Sequence, residues 1–229
     1  MKKILFLSAI AFSSYNTEAK IALSLEAGAG FGIAGSRYEV NNLFYSGQTI
    51  LDAQRTVRPV LGATLSYSKH RMFFGIGVRY WTAASKFSDF SLYDLKGAPV
   101  ATSEMVNTVN SISIPLHAGF HFPVKKLFVE AKVKAGPSIV KQELSVKQTN
   151  GDLNLSNVDN NLLFVGGADL SIGTRIAPRT QLQLKYSFMS YLADVEYDRI
   201  PPASMPFRGA LWSDKPNMHA IMLEASFAL

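Results

Sequence analysis

The chain has 229 residues, a formal net charge of +6, 17% charged residues and no cysteine. The length suits one domain, and the missing cysteine excludes disulfides, thiolate catalysis and cysteine-ligated zinc. The positive balance is not a nucleic-acid footprint: Lys69, Arg71, Lys125, Lys126, Arg175 and Arg179 gather around three short turns, with no basic stripe interleaved with aromatics.

Lys2 and Lys3 precede an apolar run at 4–12, then a polar stretch at 13–18 and Ala19. That is the charged, apolar and cleavage-region order of a secretory signal peptide. Removal of 1–19 is expected, leaving 20–229 as one domain after Sec-type export. No later stretch approaches the roughly 18 continuous apolar residues of a membrane helix.

The first strand covers 21–33. Ile21, Leu23, Leu25, Ala27, Ala29, Phe31 and Ile33 share one face; Ser24, Glu26, Gly28, Gly30 and Gly32 fall on the other. A period of two marks a strand between two different media. The same pattern returns at 58–67 and 72–82, where Arg79 takes the small, polar face, and at 111–122, which carries His117 and His121. It continues at 127–139 with Glu130, Lys132 and Lys134, at 162–174 with Asp169, at 180–191 with Lys185, and at 217–229 with Glu224. Tyr67, Tyr80, Tyr186 and Tyr191 lie near strand ends, where aromatic girdles are expected.

Eight strands result, with both ends of the set on one side. Long polar connections at 35–57, 83–110, 140–161 and 193–215 alternate with tight turns at 68–71, 123–126 and 177–179. Short periplasmic turns and long extracellular loops are the layout of outer-membrane barrels. A soluble barrel would hide its apolar face and expose its polar one. Here the face rich in Gly, Ser and Thr is the narrower, and its charges fit a lumen filled with ion pairs. The expected lumen network is Glu26, Arg79, Glu130, Lys132, Lys134, Asp169, Arg175, Lys185 and Glu224. Strand order puts Glu130 near Arg175, Asp169 near Lys132 or Lys134, and Lys185 towards Glu224. The fold class is therefore an all-β, eight-stranded, antiparallel up-and-down transmembrane barrel with four long loops and three short turns.

The chain resembles the small eight-stranded outer-membrane barrel superfamily, which includes OmpA-type membrane domains, OmpX-like proteins and opacity-type surface proteins. The resemblance spans nearly all of 20–229. It rests on the signal peptide, the glycine-rich first strand with Gly28, Gly30 and Gly32, and the strand through Ile112, Ile114, Pro115, Leu116, Gly119 and Phe122. It implies a bacterial outer-membrane location, contact with outer-membrane lipid and lipopolysaccharide, and insertion by the barrel-assembly machinery. Such proteins usually end in Phe or Trp; here Phe227 stands two residues before the terminal Leu229.

Chemistry is sparse. His117 and His121 are four apart on one strand, about 13 Å, too far for one ion without further ligands. They read as polar filling of the lumen. Asp194, Glu196 and Asp198 at a loop base read as a solvated rim. Gly28, Gly30 and Gly32 lack the strand–helix junction of a nucleotide fingerprint. The lipid-facing faces lack the His-Ser-Glu set of a lipid A deacylase. No catalytic, metal or cofactor residue is assigned. The expected function is a non-enzymatic, monomeric surface barrel whose loops meet a host, cell-surface or envelope ligand. A small-solute or hydrophobic-molecule channel is the alternative, and a lipid A-modifying enzyme a more distant one.

Overall fold

The structure, a computed structural model, describes residues 20–41, 46–51, 54–93, 99–148, 154–193, 195–200 and 209–229. The expected signal peptide at 1–19 lies outside them. Among the described residues twelve strands run β1 (Lys20–Asn41), β2 (Ser46–Leu51), β3 (Gln54–Arg55), β4 (Val57–Lys69), β5 (Met72–Tyr93), β6 (Pro99–Ser113), β7 (Leu116–Val124), β8 (Leu127–Gln148), β9 (Asn154–Ala177), β10 (Thr180–Tyr191), β11 (Val195–Ile200) and β12 (Gly209–Ala228). β6 and β7 are two halves of one stave. Arg79 opposes Ser113 and Ile76 opposes Leu116 on β5, and Ser138 and Ala135 oppose the same pair on β8, so the register does not slip. Pro115 has no N–H to give the ladder, which is why the stave reads as two.

Counted this way, eight staves follow in antiparallel order, β1, β4, β5, β6–β7, β8, β9, β10 and β12. β12 then pairs with β1, from Ala22 opposite Ala228 to Glu39 opposite Ala210. The sheet closes, so no stave of the barrel wall is left with an unpaired edge, as a bilayer demands.

The side chains decide which face is inside. On β10, Leu182, Leu184 and Tyr186 are exposed while Gln183, Lys185 and Ser187 are buried. The same inversion holds on β1, where Leu23 and Leu25 are exposed around buried Ser24 and Glu26. Large apolar groups outside and charges inside are the reverse of a soluble barrel and the polarity of a membrane-spanning one. The apolar belt ends at a polar row running across four strands: Thr82, Asn110, Lys141 and Asn160 oppose one another in turn. At this level Thr82 Oγ1 lies 2.9 Å from Tyr80 Oη and 3.0 Å from Asn110 Oδ1. Tyr67, Tyr80 and Tyr186 face outward as expected of a girdle, but Tyr191 does not. It is 1% exposed, because it shares the odd-numbered, inward parity of Lys185 and Ser187.

Two of the turns bend at a non-glycine residue of left-handed conformation, His70 and Lys125, both at φ 59°. A positive φ at a central position lets a two-residue hairpin follow the strands' twist. Both chain ends of the barrel lie at this turn end, since Lys20 opposes Ser68 and Phe227 opposes Thr180.

The opposite end differs from the sequence reading. The stretches 83–110 and 140–161 are mostly paired strand: β5 runs to Tyr93 against β6 from Pro99, and β8 to Gln148 against β9 from Asn154. Residues 35–57 and 193–215 likewise hold the end of β1, all of β2 and β11, and the start of β12. β9 has 24 residues, whereas a membrane-crossing strand needs about 9–11. The excess stands beyond the belt as hairpin. The polar composition of these stretches signalled exposure to water, and exposed paired strands are polar too.

Candidate functional site

The interior is stratified. At mid-height three carboxylates, Glu26, Asp169 and Glu224, meet four cations, Arg79, Lys132, Lys134 and Lys185, all at least nine-tenths buried. The register explains the arrangement. Arg79, Gly62, Glu26 and Glu224 lie in one row across β5, β4, β1 and β12. Gly62 has no side chain, so Arg79 passes over it and its Nε donates to Glu26 Oε1 at 2.6 Å. A Cβ at Gly62 would stand 2.4 Å from that same oxygen.

Glu26 and Glu224 are directly opposed, an unfavourable pairing of like charges. Lys185, two staves from β1, offsets it: Nζ bonds both Glu26 Oε2 and Glu224 Oε2. Across the lumen, Asp169 takes Lys134 Nζ on Oδ1 and Arg79 Nη2 on Oδ2 at 3.4 Å. Ser187 opposes Asp169 on β10 and its Oγ accepts from Arg79 Nη1 at 2.8 Å and Lys134 Nζ at 2.7 Å. Lys132 Nζ sits between Asp169 at 3.9 Å and Glu224 at 3.8 Å. Each buried charge therefore has an opposite one within reach, which is what burial requires. A pocket of about 10 Å³ within this layer, between Thr64, His117 and Lys134, has room for about one water molecule.

Towards the hairpin end the lumen turns apolar. Val60, Trp81, Val109, Val140, Val165, Met189, Tyr191, Met218 and Met222 form one buried cluster. The Trp81 and Tyr191 rings stack at 5.4 Å. None of these residues was expected inside. The signal was present: each keeps the lumen parity of a charged residue on its own or a neighbouring strand, Trp81 after Arg79 and Met222 before Glu224. Where both faces of a strand are apolar, alternation stops reporting the boundary.

Of the expected pairs, Asp169 lies beside both Lys132 and Lys134, and Lys185 meets Glu224. Glu130 goes elsewhere. Its Oε1 lies 2.9 Å from His121 Nδ1, its direct cross-strand partner, and among the described residues no ion pair joins it to Arg175. His121 faces Glu130 directly from β7, whereas on β9 the residue opposite Glu130 is Ser171 and Arg175 lies four residues further along. The contacts of Glu26 with Arg79 and Lys185 escaped sequence reasoning, because they cross the lumen and skip strands.

His117 and His121 both face inward. His117 Nε2 lies 3.3 Å from Ser66 Oγ, and the His121 ring stacks on Phe128 at 4.6 Å. His219 faces the lipid side instead, with Nδ1 2.6 Å from Tyr186 Oη and its ring stacked 5.5 Å from Phe31. Among the described residues no group of three or more His, Asp or Glu could hold a metal ion. Asp194, and the side chains of Glu196 and Asp198, lie outside the described residues.

No family model and no curated protein matches the chain. Among solved structures it is similar to OprG from Pseudomonas aeruginosa, with 8% identity, TM-score 0.48, 90% of this chain and 95% of that one covered. It is also similar to Neisserial surface protein A (10% identity, TM-score 0.42, 92% and 98% covered) and to Ail of Yersinia pestis (13%, 0.40, 92% and 99%). At these identities and scores the resemblance carries nothing about ligand or partner.

Proposed function

We propose that this protein is a monomeric barrel of the bacterial outer membrane that presents its protruding hairpins to the exterior, with its short turns in the periplasm, and neither conducts solutes nor catalyses a reaction. The membrane part of the reading is supported by the inside-out polarity of the wall. Lipid and lipopolysaccharide would contact the apolar belt, and the barrel-assembly machinery would insert it. The observation that carries the non-conducting part is the doubly blocked lumen. An ion passing through would have to separate the Lys185, Glu26 and Glu224 contacts and then cross the Trp81–Tyr191 layer. What remains for function is the hairpin end, where a rigid scaffold holds exposed chain and can offer it to a host, cell-surface or envelope ligand.

Purified protein reconstituted in a planar bilayer should give no unitary conductance. Shortening the β5–β6 hairpin around 94–98 should abolish binding to whichever surface the intact protein adheres to, while the barrel still folds. Reproducible single-channel steps from wild-type protein would overturn the proposal in favour of a channel.

A further inference from the structure

At the turn end the lumen opens into a cavity of about 720 Å³. The ionic layer forms its floor, since Lys132 and Glu224 belong to both. Six cations line it, Lys20, Arg71, Lys125, Lys132, Arg175 and Arg179, against two carboxylates, Glu130 and Glu224. Both carboxylates are already engaged, Glu130 with His121, and Glu224 with Lys185 and Lys132, and Lys132 is thereby paired itself, so the charge offered to a ligand comes from the cations nearer the mouth.

The cations converge for a structural reason. Lys20 keeps the inward parity of Ser24 and Glu26 on β1, and Arg175 that of Asp169 and Ser171 on β9. Arg71, Lys125 and Arg179 come from the three tight turns and line the mouth from three sides. Ser66, Ser68 and Gln181 add neutral hydrogen-bonding groups to the wall. A concave surface on which one charge sign predominates, walled by a low-dielectric barrel, focuses its field on whatever enters.

We infer that this vestibule binds a multiply phosphorylated small molecule. Arginines suit phosphate because their planar forks donate two bonds to its oxygens. The volume falls within the range of about 300–1,000 Å³ typical of ligand sites. Lys20, Lys125, Arg175 and Arg179 reach the cavity from different strands and turns, so one phosphate ion cannot meet them all, whereas several phosphates on one molecule can. That the ligand is periplasmic rests on the topology proposed above. The binding itself does not.

The folded protein in phosphatidylcholine nanodiscs is titrated calorimetrically with tripolyphosphate at low salt. The expected result is saturable one-to-one binding that weakens as sodium chloride is raised. Arg175→Gln and Arg179→Gln should each weaken it about tenfold, the value of a charge-assisted contact. Lys126→Gln, in the same turn as Lys125 but off the cavity wall, should change it less than about twofold. Heat-dependent gel migration establishes that each variant is folded. No saturable binding, or equal loss in the Lys126 and arginine variants, would overturn the site. A second series uses discs containing phosphatidylglycerol. Binding preserved there supports a soluble ligand; binding lost only there would identify lipid phosphate as the occupant and overturn the soluble-ligand assignment. Neither result depends on conductance or on the hairpins, so this inference and the surface role fail separately.

Discussion

Lys185 holds together the one pair of like charges that the register sets face to face among the described strands. It is fully buried and contacts two carboxylates that face each other across the β1–β12 seam. Lys185→Met keeps most of the volume but leaves Glu26 and Glu224 opposed with Arg79 and Lys132 to share. Breaking a buried pair by removing one partner costs about 3–5 kcal/mol. Urea unfolding from detergent micelles, followed by tryptophan fluorescence, should show a loss of that size. The further change of Glu224 to Gln should recover part of it, because one of the two opposed charges is then gone. Trp81 offers a test of the inside and outside of the wall. It is 0% exposed and lies within the lumen. In a Trp212→Phe background its fluorescence should be insensitive to brominated acyl chains. Strong quenching by lipid would mean that the charged face, which shares its parity, also faces the bilayer.

At the scale of the element, the stave β6–β7 has a weak point that two prolines create. Gly77 N–H donates to Pro115 C=O at 3.0 Å and Ile114 N–H to Pro137 C=O at 2.9 Å. Neither proline can return a bond. Pro137 is exposed on the lipid side of β8, directly opposite Ile114. Pro137→Val supplies the missing donor and a residue suited to a strand. The variant should be more stable by about 0.5–1.5 kcal/mol, the net worth of one hydrogen bond. The same urea titration reads it. An unchanged midpoint would mean that the Ile114 carbonyl is satisfied otherwise. The protruding hairpins make a topological prediction: protease applied to intact cells should cut near 94–98 or 149–153 and spare the turns at Lys69, Lys125 and Arg179. Cleavage at the turns with the hairpins untouched would reverse the orientation.

For the whole molecule, closure is the property that matters. Every stave is held by two neighbours, so opening the barrel means breaking a full ladder at once. Unboiled protein in mild detergent should migrate differently on a gel from the boiled form and keep a β-type circular dichroism spectrum. Identical migration with a helical spectrum would refute the barrel. The sequence by itself determined the number of staves, their order and which residues share a face. Strand side chains alternate with a fixed period of two, so Glu26, Lys185 and Glu224 are assigned to one side of the wall by counting alone. It also located the three turns, through their polar, basic composition. Three things were decided only by the tertiary structure. The hairpins extend far beyond the belt, because polar composition does not distinguish a loop from a paired strand in water. Trp81, Met189, Tyr191 and Met218 close over the ion layer as one apolar cluster; counting from the charged residues gives their parity, but where both faces are apolar the alternation itself no longer marks the inner one. The partners of Glu26 and Glu130 were fixed by register and by reach across the lumen. Those depend on barrel closure and on the bare backbone at Gly62, which lets Arg79 pass.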